Sequence, residues 1–285
     1  MVGKLILRGT LAGVVGGILA FVFARVLAES PIQAAIDYES GRDAAQEALD
    51  QAAGIAASAH EHEIFSRTIQ ANIGIGVGIV AFGAAMGALM AVAYVYCIGR
   101  TGAVRPRTLA LLVAGGAFLG LYLVPFLKYP ANPPAIGHED TIADRSTLYL
   151  VMVAVSVAFL VAAAWLGQRL KPRFGNWNAT LLAAAAFIVA IGIVMLLLPS
   201  FGHLPANVEE YGRHATETPL PLTDSQGKIV FPGFPADTLF SFRLYSIGAQ
   251  LVLWTTIALI FAPAAEKLLT GGNGRPADAA TPVGA

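Results

Sequence analysis

The chain alternates between long apolar stretches and short polar connections. Six apolar stretches are present, at about residues 5–27, 72–98, 109–127, 148–166, 179–198 and 244–262. Each approaches or exceeds the roughly 20 residues that an α-helix needs to cross about 30 Å of hydrocarbon. Backbone polar groups in lipid must be satisfied within their own segment, so the pattern predicts transmembrane helices rather than strands. The predicted fold class is therefore an all-α, polytopic integral membrane protein with about six spans.

The composition agrees with this fold class and narrows the function. Hydrophobic residues make up 56% of the 285 residues and charged residues only 13%, which excludes a fully water-soluble globule. The formal net charge of zero gives no support for nucleic-acid binding. Cys97 is the only cysteine, so neither a disulfide framework nor a thiolate metal cluster can form.

Basic residues cluster in alternate connections, which predicts a topology. They flank the first stretch, separate the second from the third and the fourth from the fifth, and follow the sixth. By the positive-inside rule, both termini are cytoplasmic. The inner side then holds 10 basic and 2 acidic residues, and the outer side 8 basic and 16 acidic residues with all five histidines. Carboxylates and imidazoles attract and bind divalent cations, so this partition indicates metal handling at a membrane.

The predicted domain organisation is one membrane domain and a tail. The domain covers residues 1–268, with outer loops at 29–68, 128–147 and 199–243, and a disordered cytoplasmic tail follows at 269–285. In the first outer loop, Ser30 and Pro31 are typical of a helix start, and Gly54 is close to the expected end of that outer helix. A secretory signal cleaved before Glu29 is the alternative reading of the first stretch, and it would leave five spans.

Glycines spaced four residues apart recur in the first three stretches. Such spacing lets helix backbones approach closely, and it predicts a tight cluster of these three helices. The alternative is that glycine is simply common in membrane helices. The spaced glycines are Gly9, Gly13 and Gly17 in the first stretch, Gly74 with Gly78 and Gly83 with Gly87 in the second, and Gly116 with Gly120 in the third.

Two histidine-bearing acidic clusters on the predicted outer side are the candidate metal ligands. Their imidazole nitrogens and carboxylate oxygens suit transition-metal cations such as Co²⁺ or Ni²⁺. The alternative is that these groups are solvated surface residues that only raise the local cation concentration. The candidates are His60, Glu61, His62 and Glu63 in the first cluster and His138, Glu139 and Asp140 in the second.

The proline-rich end of the third stretch is a candidate ion pathway. Four prolines within ten residues prevent a regular helix there and leave carbonyls without intrahelical donors, which can line an ion path. The alternative is a stiff helix terminator whose lysine reaches the membrane interface. The candidate pathway residues are Pro125, Lys128, Tyr129, Pro130, Asn132 and Pro133.

The sequence argues against an enzyme. It contains no phosphate-binding GxxxxGK[ST] loop, no GxSxG nucleophile motif and no HExxH zinc motif. The spans also contain no buried acid that would mark a cation relay, so this chain alone displays no complete pathway.

Several strings resemble the CbtA family of probable cobalt transporter subunits. The resemblance covers about residues 1–268 and is strongest in the Lys-Tyr-Pro-Ala-Asn-Pro-Pro string. The strings that carry it are Val2–Gly9, Leu123–Ala135, Asn176–Ala179, Phe234–Ala236 and Phe242–Leu244, with Trp254.

This resemblance implies a multi-pass subunit of a cobalt uptake system in the bacterial plasma membrane, linked to cobalamin synthesis. Co²⁺ is then the transported ion, no cofactor is expected, and the implied partner is a small single-span CbtB-like subunit within the membrane lipid. Self-association is left open. The alternatives are a non-conducting membrane scaffold or metal-sensing subunit and, third, a membrane enzyme acting on a lipid or a tetrapyrrole.

Overall fold

The computed structural model describes residues 1–55, 66–102, 104–214 and 216–270. Six helices dominate this part of the chain: α1 (Val2–Ala52), α2 (Arg67–Cys97), α3 (Pro106–Lys128), α4 (Ile142–Leu197), α5 (Pro205–Tyr211) and α6 (Ala236–Thr270). The remaining regular structure is two 3₁₀ turns, Glu139–Thr141 and Phe201–His203, and a small antiparallel hairpin of β1 (Leu222–Thr223) and β2 (Ile229–Phe231). Five of the helices are long and apolar enough to cross a membrane, which confirms the all-α membrane fold class.

Five helices account for six apolar stretches because α4 folds back on itself. Gly175 interrupts its 56 residues with a φ of 73° and a ψ of 172°, a conformation that glycine adopts without steric cost. A Cβ on Gly167 would lie 3.4 Å from the Cβ of Ala183, so the residues before and after Gly175 pack side by side. Residues 142–174 and 176–197 therefore form two arms, which correspond to the fourth and fifth predicted spans.

The first helix is longer than the sequence predicted. It continues through Ser30 and Pro31 to Ala52, and Ser30 makes no capping contact, so the prediction that these residues begin a separate helix was wrong. A π-helical turn at Ala24–Ala28 precedes the proline. Carbonyls in such a wide turn lack normal α-helical donors, so the missing N–H of proline costs little there. The end of the outer helix near Gly54, which has a φ of 74°, is as predicted.

The chain divides into two compact units, each described separately. Among the described residues, one comprises 1–21, 75–115 and 251–270, and the other comprises 22–74 and 116–250. In the first unit, glycines of α1 and α2 face each other without side chains between them. A Cβ added at Gly17 would lie 2.8 Å from Val80 Cα, and one added at Gly87 would lie 2.9 Å from Gly13 Cα. The predicted close approach of the first two helices is therefore present.

The glycines of α3 pack differently from the prediction. In the second unit, a Cβ on Gly120 would lie 3.3 Å from the side chain of Val157, and one on Gly116 would lie 3.4 Å from that of Leu160. Both partners belong to α4. The spacing correctly indicated a packing surface on α3, but its partner is the neighbouring span along the chain.

Candidate functional site

The second unit contains the candidate site, which begins where α3 ends. A π-helical turn at Phe118–Leu123 precedes Pro125, and the helix continues to Lys128. Tyr129 donates its backbone N–H to the carbonyl of Pro125 at 2.8 Å, which closes the last turn. Pro125 is thus accommodated inside the helix, and the predicted break occurs after Lys128, where Tyr129 takes up a non-helical conformation.

Lys128 and Tyr129 hold the end of α4 in place. Lys128 Nζ donates to the carbonyl of Leu198, and the Tyr129 hydroxyl donates to the carbonyl of Pro199, both at 2.8 Å. The Tyr129 ring also stacks on Phe201, with centroids 4.4 Å apart and planes 13° apart. The start of the Lys-Tyr-Pro-Ala-Asn-Pro-Pro string therefore binds carbonyls at a helix end, where intrahelical donors run out.

A buried carboxylate lies beneath the rest of this string. Glu217 is only 2% exposed, and its carboxylate accepts hydrogen bonds from Asn132 Nδ2 at 2.6 Å, Asn207 Nδ2 at 3.2 Å and Arg145 Nη1 at 3.3 Å. Arg243 donates to Asn132 Oδ1 at 2.8 Å and so joins the same network. We call these five residues the Glu217 junction. It joins the loop after α3, the start of α4, the segment around α5 and the start of α6.

Close backbone packing fixes the segment that carries Glu217. A Cβ on Gly202 would collide with the carbonyl groups of His214 and Thr216, the latter through its carbon at 2.8 Å. Gly202 is buried in the 3₁₀ turn that follows α4. Only a residue without a side chain permits this approach, so the backbone itself positions the carboxylate.

Glu217, Arg145 and Asn207 were not predicted from the sequence as site residues. Glu217 stands in a polar, proline-rich segment in which an acid is normally exposed, and no motif surrounds it. The available signal was Asn132, a polar residue inside an otherwise apolar and proline-rich string. An amide there needs a hydrogen-bond partner when it is buried, although its identity is set by tertiary structure.

Two cavities adjoin the string. The larger is about 600 Å³ and is mainly aromatic and apolar, with Arg145 and Ser146 in its wall, and the smaller is about 250 Å³. Tyr129, Pro130 and Asn132 line both of them, and Lys128 lines the smaller one. Among the candidate pathway residues, Pro125 and Pro133 are buried and line neither of these two cavities.

Of the two clusters of candidate metal ligands, the structure describes only the second. His60, Glu61, His62 and Glu63 lie outside the described residues. His138 Nε2 lies 3.4 Å from a carboxylate oxygen of Glu210, while its Nδ1 lies 3.7 Å from one of Asp140 and accepts the Asp140 backbone N–H at 3.1 Å. The two ring nitrogens point in different directions, so these carboxylates do not converge on one ion. Glu139 is exposed.

Within the described ranges, no group of three or more histidine, cysteine, aspartate or glutamate side chains is arranged to hold a metal ion. A metal contact at His138, Glu139 and Asp140 stays a prediction.

The C-terminal part of α1 brings further acids towards the second cluster. Burial, the neighbouring Asp43 and the more weakly acting Glu139 raise the pKa of the Glu39 carboxyl, while a backbone hydrogen bond from Ala135 opposes the rise. Tyr38 anchors this region, because its ring contacts Phe234 at 4.9 Å between centroids. The acids of the first and second predicted outer loops therefore act on one another electrostatically.

Comparison with known proteins identifies the family. The family model described as "probable cobalt transporter subunit (CbtA)" matches residues 2–266. No curated protein and no solved structure matches the chain. The match includes the whole Glu217 junction and all five helices of spanning length, except the last four residues of α6. The protein is therefore a multi-pass membrane protein that belongs to the CbtA family of probable cobalt transporter subunits.

Proposed function

We propose that this protein is the membrane subunit of a cobalt uptake transporter in the bacterial plasma membrane, supplying Co²⁺ for cobalamin synthesis. The observation that carries the proposal is the family match over residues 2–266. A second, weaker support is the distribution of charge, since 16 of the 18 acidic residues and all five histidines fall in the predicted outer loops. Such a surface concentrates divalent cations before any specific contact.

The proposed first contact with the metal is at the histidine-bearing acidic clusters. In the first cluster the ligands are His60, Glu61, His62 and Glu63, and in the second they are His138, Glu139 and Asp140. Glu210 and Glu39 add negative charge beside the second cluster. Imidazole and carboxylate sites bind Ni²⁺ and Cu²⁺ more strongly than Co²⁺, so selectivity must come from geometry, from a partner or from metal availability.

We assign the next step of the proposed path to the larger cavity at the end of α3. Tyr129, Pro130 and Asn132 form part of its wall, and the loop carbonyls there are not tied into a helix. The Glu217 junction holds this loop against α4 and α6. It therefore fixes the shape of the cavity wall that the loop forms. The rest of the path requires a partner, for which a small single-span CbtB-like subunit or a second copy of the chain is proposed.

Radioactive cobalt uptake tests the proposal. Cells that lack the gene and the same cells carrying it on a plasmid are compared under metal limitation, and the gene is expected to raise uptake severalfold. Equal uptake in both would end the transport proposal. Replacing His60 and His62 together by Ala should reduce uptake, whereas His203→Ala, at an exposed isolated histidine, is the matched control and should leave uptake unchanged.

A non-conducting scaffold or metal-sensing subunit is the second candidate. It is distinguished by metal binding and by partner binding rather than by uptake. Purified protein whose metal binding is unaffected by the His60/His62 double substitution, together with gene-independent uptake, would favour the scaffold. Co-purification with a CbtB-like subunit is expected under both proposals.

A further inference from the structure

The smaller cavity has the charge and the hydrogen-bond donors of an anion site. Lys128 and Arg243 both line it, and the only carboxylate in its wall is Glu217. Over the described ranges, neither Lys128 nor Arg243 forms a salt bridge. Glu217 already accepts hydrogen bonds from Asn132, Asn207 and Arg145, the last of which offsets its charge. The wall therefore carries a net positive charge.

Free donors remain on both basic side chains. The single hydrogen bond of Lys128 Nζ goes to the carbonyl of Leu198, which leaves two of its three N–H groups. Arg243 uses Nε and Nη2 for Ala131 and Asn132, and its Nη1 makes no hydrogen bond to a described residue. These donors are held on rigid elements, because the same bonds that occupy one part of each side chain fix its position.

Neutral donors complete the wall. Ser200, Thr216 and Thr218 line the cavity, and their hydroxyls form no hydrogen bond within the part of the chain that the structure describes. A volume of about 250 Å³ accommodates a tetrahedral oxyanion together with several waters. A divalent cation, in contrast, would meet two positive side chains and a carboxylate that already accepts three hydrogen bonds.

We propose that this cavity binds a phosphate group, with Lys128 and Arg243 as charged donors and Ser200, Thr216 and Thr218 as neutral ones. The phosphate comes either from the headgroup of an anionic lipid or from free inorganic phosphate. The cavity adjoins Leu127 and Lys128 at the end of a membrane-spanning helix, which is the level of lipid headgroups, and this favours the lipid. The proposal goes beyond cobalt transport and does not depend on it.

The test measures phosphate binding by the purified full-length protein. Equilibrium dialysis with radiolabelled inorganic phosphate measures the affinity for the free anion. The affinity for lipid is measured by the amount of phosphatidylglycerol that the protein retains in detergent, compared with a phosphate-free glycolipid in the same detergent. Lys128→Gln keeps a donor for the Leu198 carbonyl but removes the charge, and it should weaken binding of the preferred ligand about tenfold. Ser200→Ala should weaken it less. Lys171→Gln, at an exposed lysine in the turn of α4, is the charge-matched control and should bind like wild type.

The two binding measurements distinguish a lipid phosphate from free phosphate, and they can also contradict the proposed site. Binding of phosphatidylglycerol that Lys128→Gln weakens, without binding of inorganic phosphate, identifies the lipid, and the reverse result identifies the free anion. Absence of binding to both ligands overturns the proposal. So does an equal loss in Lys128→Gln and Lys171→Gln, because that would be a general charge effect rather than a site.

Discussion

The two compact units hold their segments together by opposite means. In the first, the backbones of α1 and α2 meet directly at Gly13, Gly17 and Gly87, with no side chain between them. In the second, the buried Glu217 joins distant segments through charged and amide side chains. In lipid the hydrophobic effect does not drive helices to associate, so packing and hydrogen bonds must hold them together. The first unit uses close packing, and the second uses hydrogen bonds.

The difference concerns what each arrangement tolerates. The glycine contact depends on shape alone, so any added atom separates the helices, but no group is left without a partner. The junction depends on the Glu217 carboxylate as a shared acceptor, so removing Glu217 takes away one hydrogen bond from each of Arg145 and Asn207. The first arrangement suits a fixed scaffold, and the second suits a place where polar groups and cavities are needed.

The largest effect is expected at the glycine contact. Gly13→Val places a branched side chain against the backbone of Gly83, and neither helix can yield without losing the rest of the contact. We expect a loss of about 3 kcal/mol in the free energy of unfolding. Fluorescence-detected size exclusion after heating measures the surviving folded fraction. Gly78→Val, at a helical glycine with nothing within 4 Å, is the control, and equal loss in both variants would contradict the packing argument.

A slightly smaller effect is expected at the Glu217 junction. Glu217→Ala removes the acceptor of Arg145 and two amides, which should cost about 2 to 3 kcal/mol, reduced from the value for a fully buried pair because Arg145 keeps 22% side-chain exposure. Glu209→Ala, at an exposed acid in α5, should be neutral. Arg145→Met combined with Glu217→Ala should cost less than the two single changes added together. Strict additivity, measured by equilibrium unfolding in mixed micelles, would show that the ion pair is not coupled.

An effect of about 1 kcal/mol is expected where the C-terminal part of α1 packs against the segment that precedes α6. The Tyr38 hydroxyl donates to the carbonyl of Pro232 at 3.0 Å, and Tyr38→Phe removes that bond while keeping the ring contact with Phe234. Thermal unfolding of the purified variant measures the loss. Tyr96→Phe, at a 69% exposed tyrosine, is the control and should unfold like wild type.

The smallest effect is a change in pH dependence. The pKa of Glu39 is raised above 4.5 by burial first and by Asp43 second. The protonated form is therefore favoured in the folded state, and stability is full below the ordinary pKa and is lost as pH rises through the raised one. Glu39→Gln stays neutral, so it should be the more stable protein near neutral pH and should match wild type in acid. Unfolding temperatures at several pH values test this, with Glu209→Gln as the control.

Hydrophobic pattern predicted most of the fold. Membrane-spanning helices are specified by local composition, so the apolar stretches correspond to the helices, and even the hairpin of α4 was recognised as two spans. The helix start assigned to Ser30 and Pro31 failed for a physical reason. A cap signal describes a local preference, whereas a π-helical turn at Ala24–Ala28 lets the helix continue through the proline.

The candidate site was predicted only in its location. The proline-rich string was recognised, and Lys128, Tyr129, Pro130 and Asn132 do line cavities. Asn132 donates a hydrogen bond to Glu217, which lies 85 residues further along the chain, and no sequence pattern links these two residues. The burial of an acid is decided by long-range packing, such as the contact at Gly202, which a linear sequence does not display.

The turn at Gly175 has a mechanical consequence. A single residue joins two arms of membrane-spanning length, and the Ala183 side chain of one arm lies close to Gly167 of the other. Sliding of one arm past the other would disrupt this close packing, so we expect the two arms to move together. Alternating exposure of an ion to the two sides of a bilayer would then require hinges at other connections of the chain.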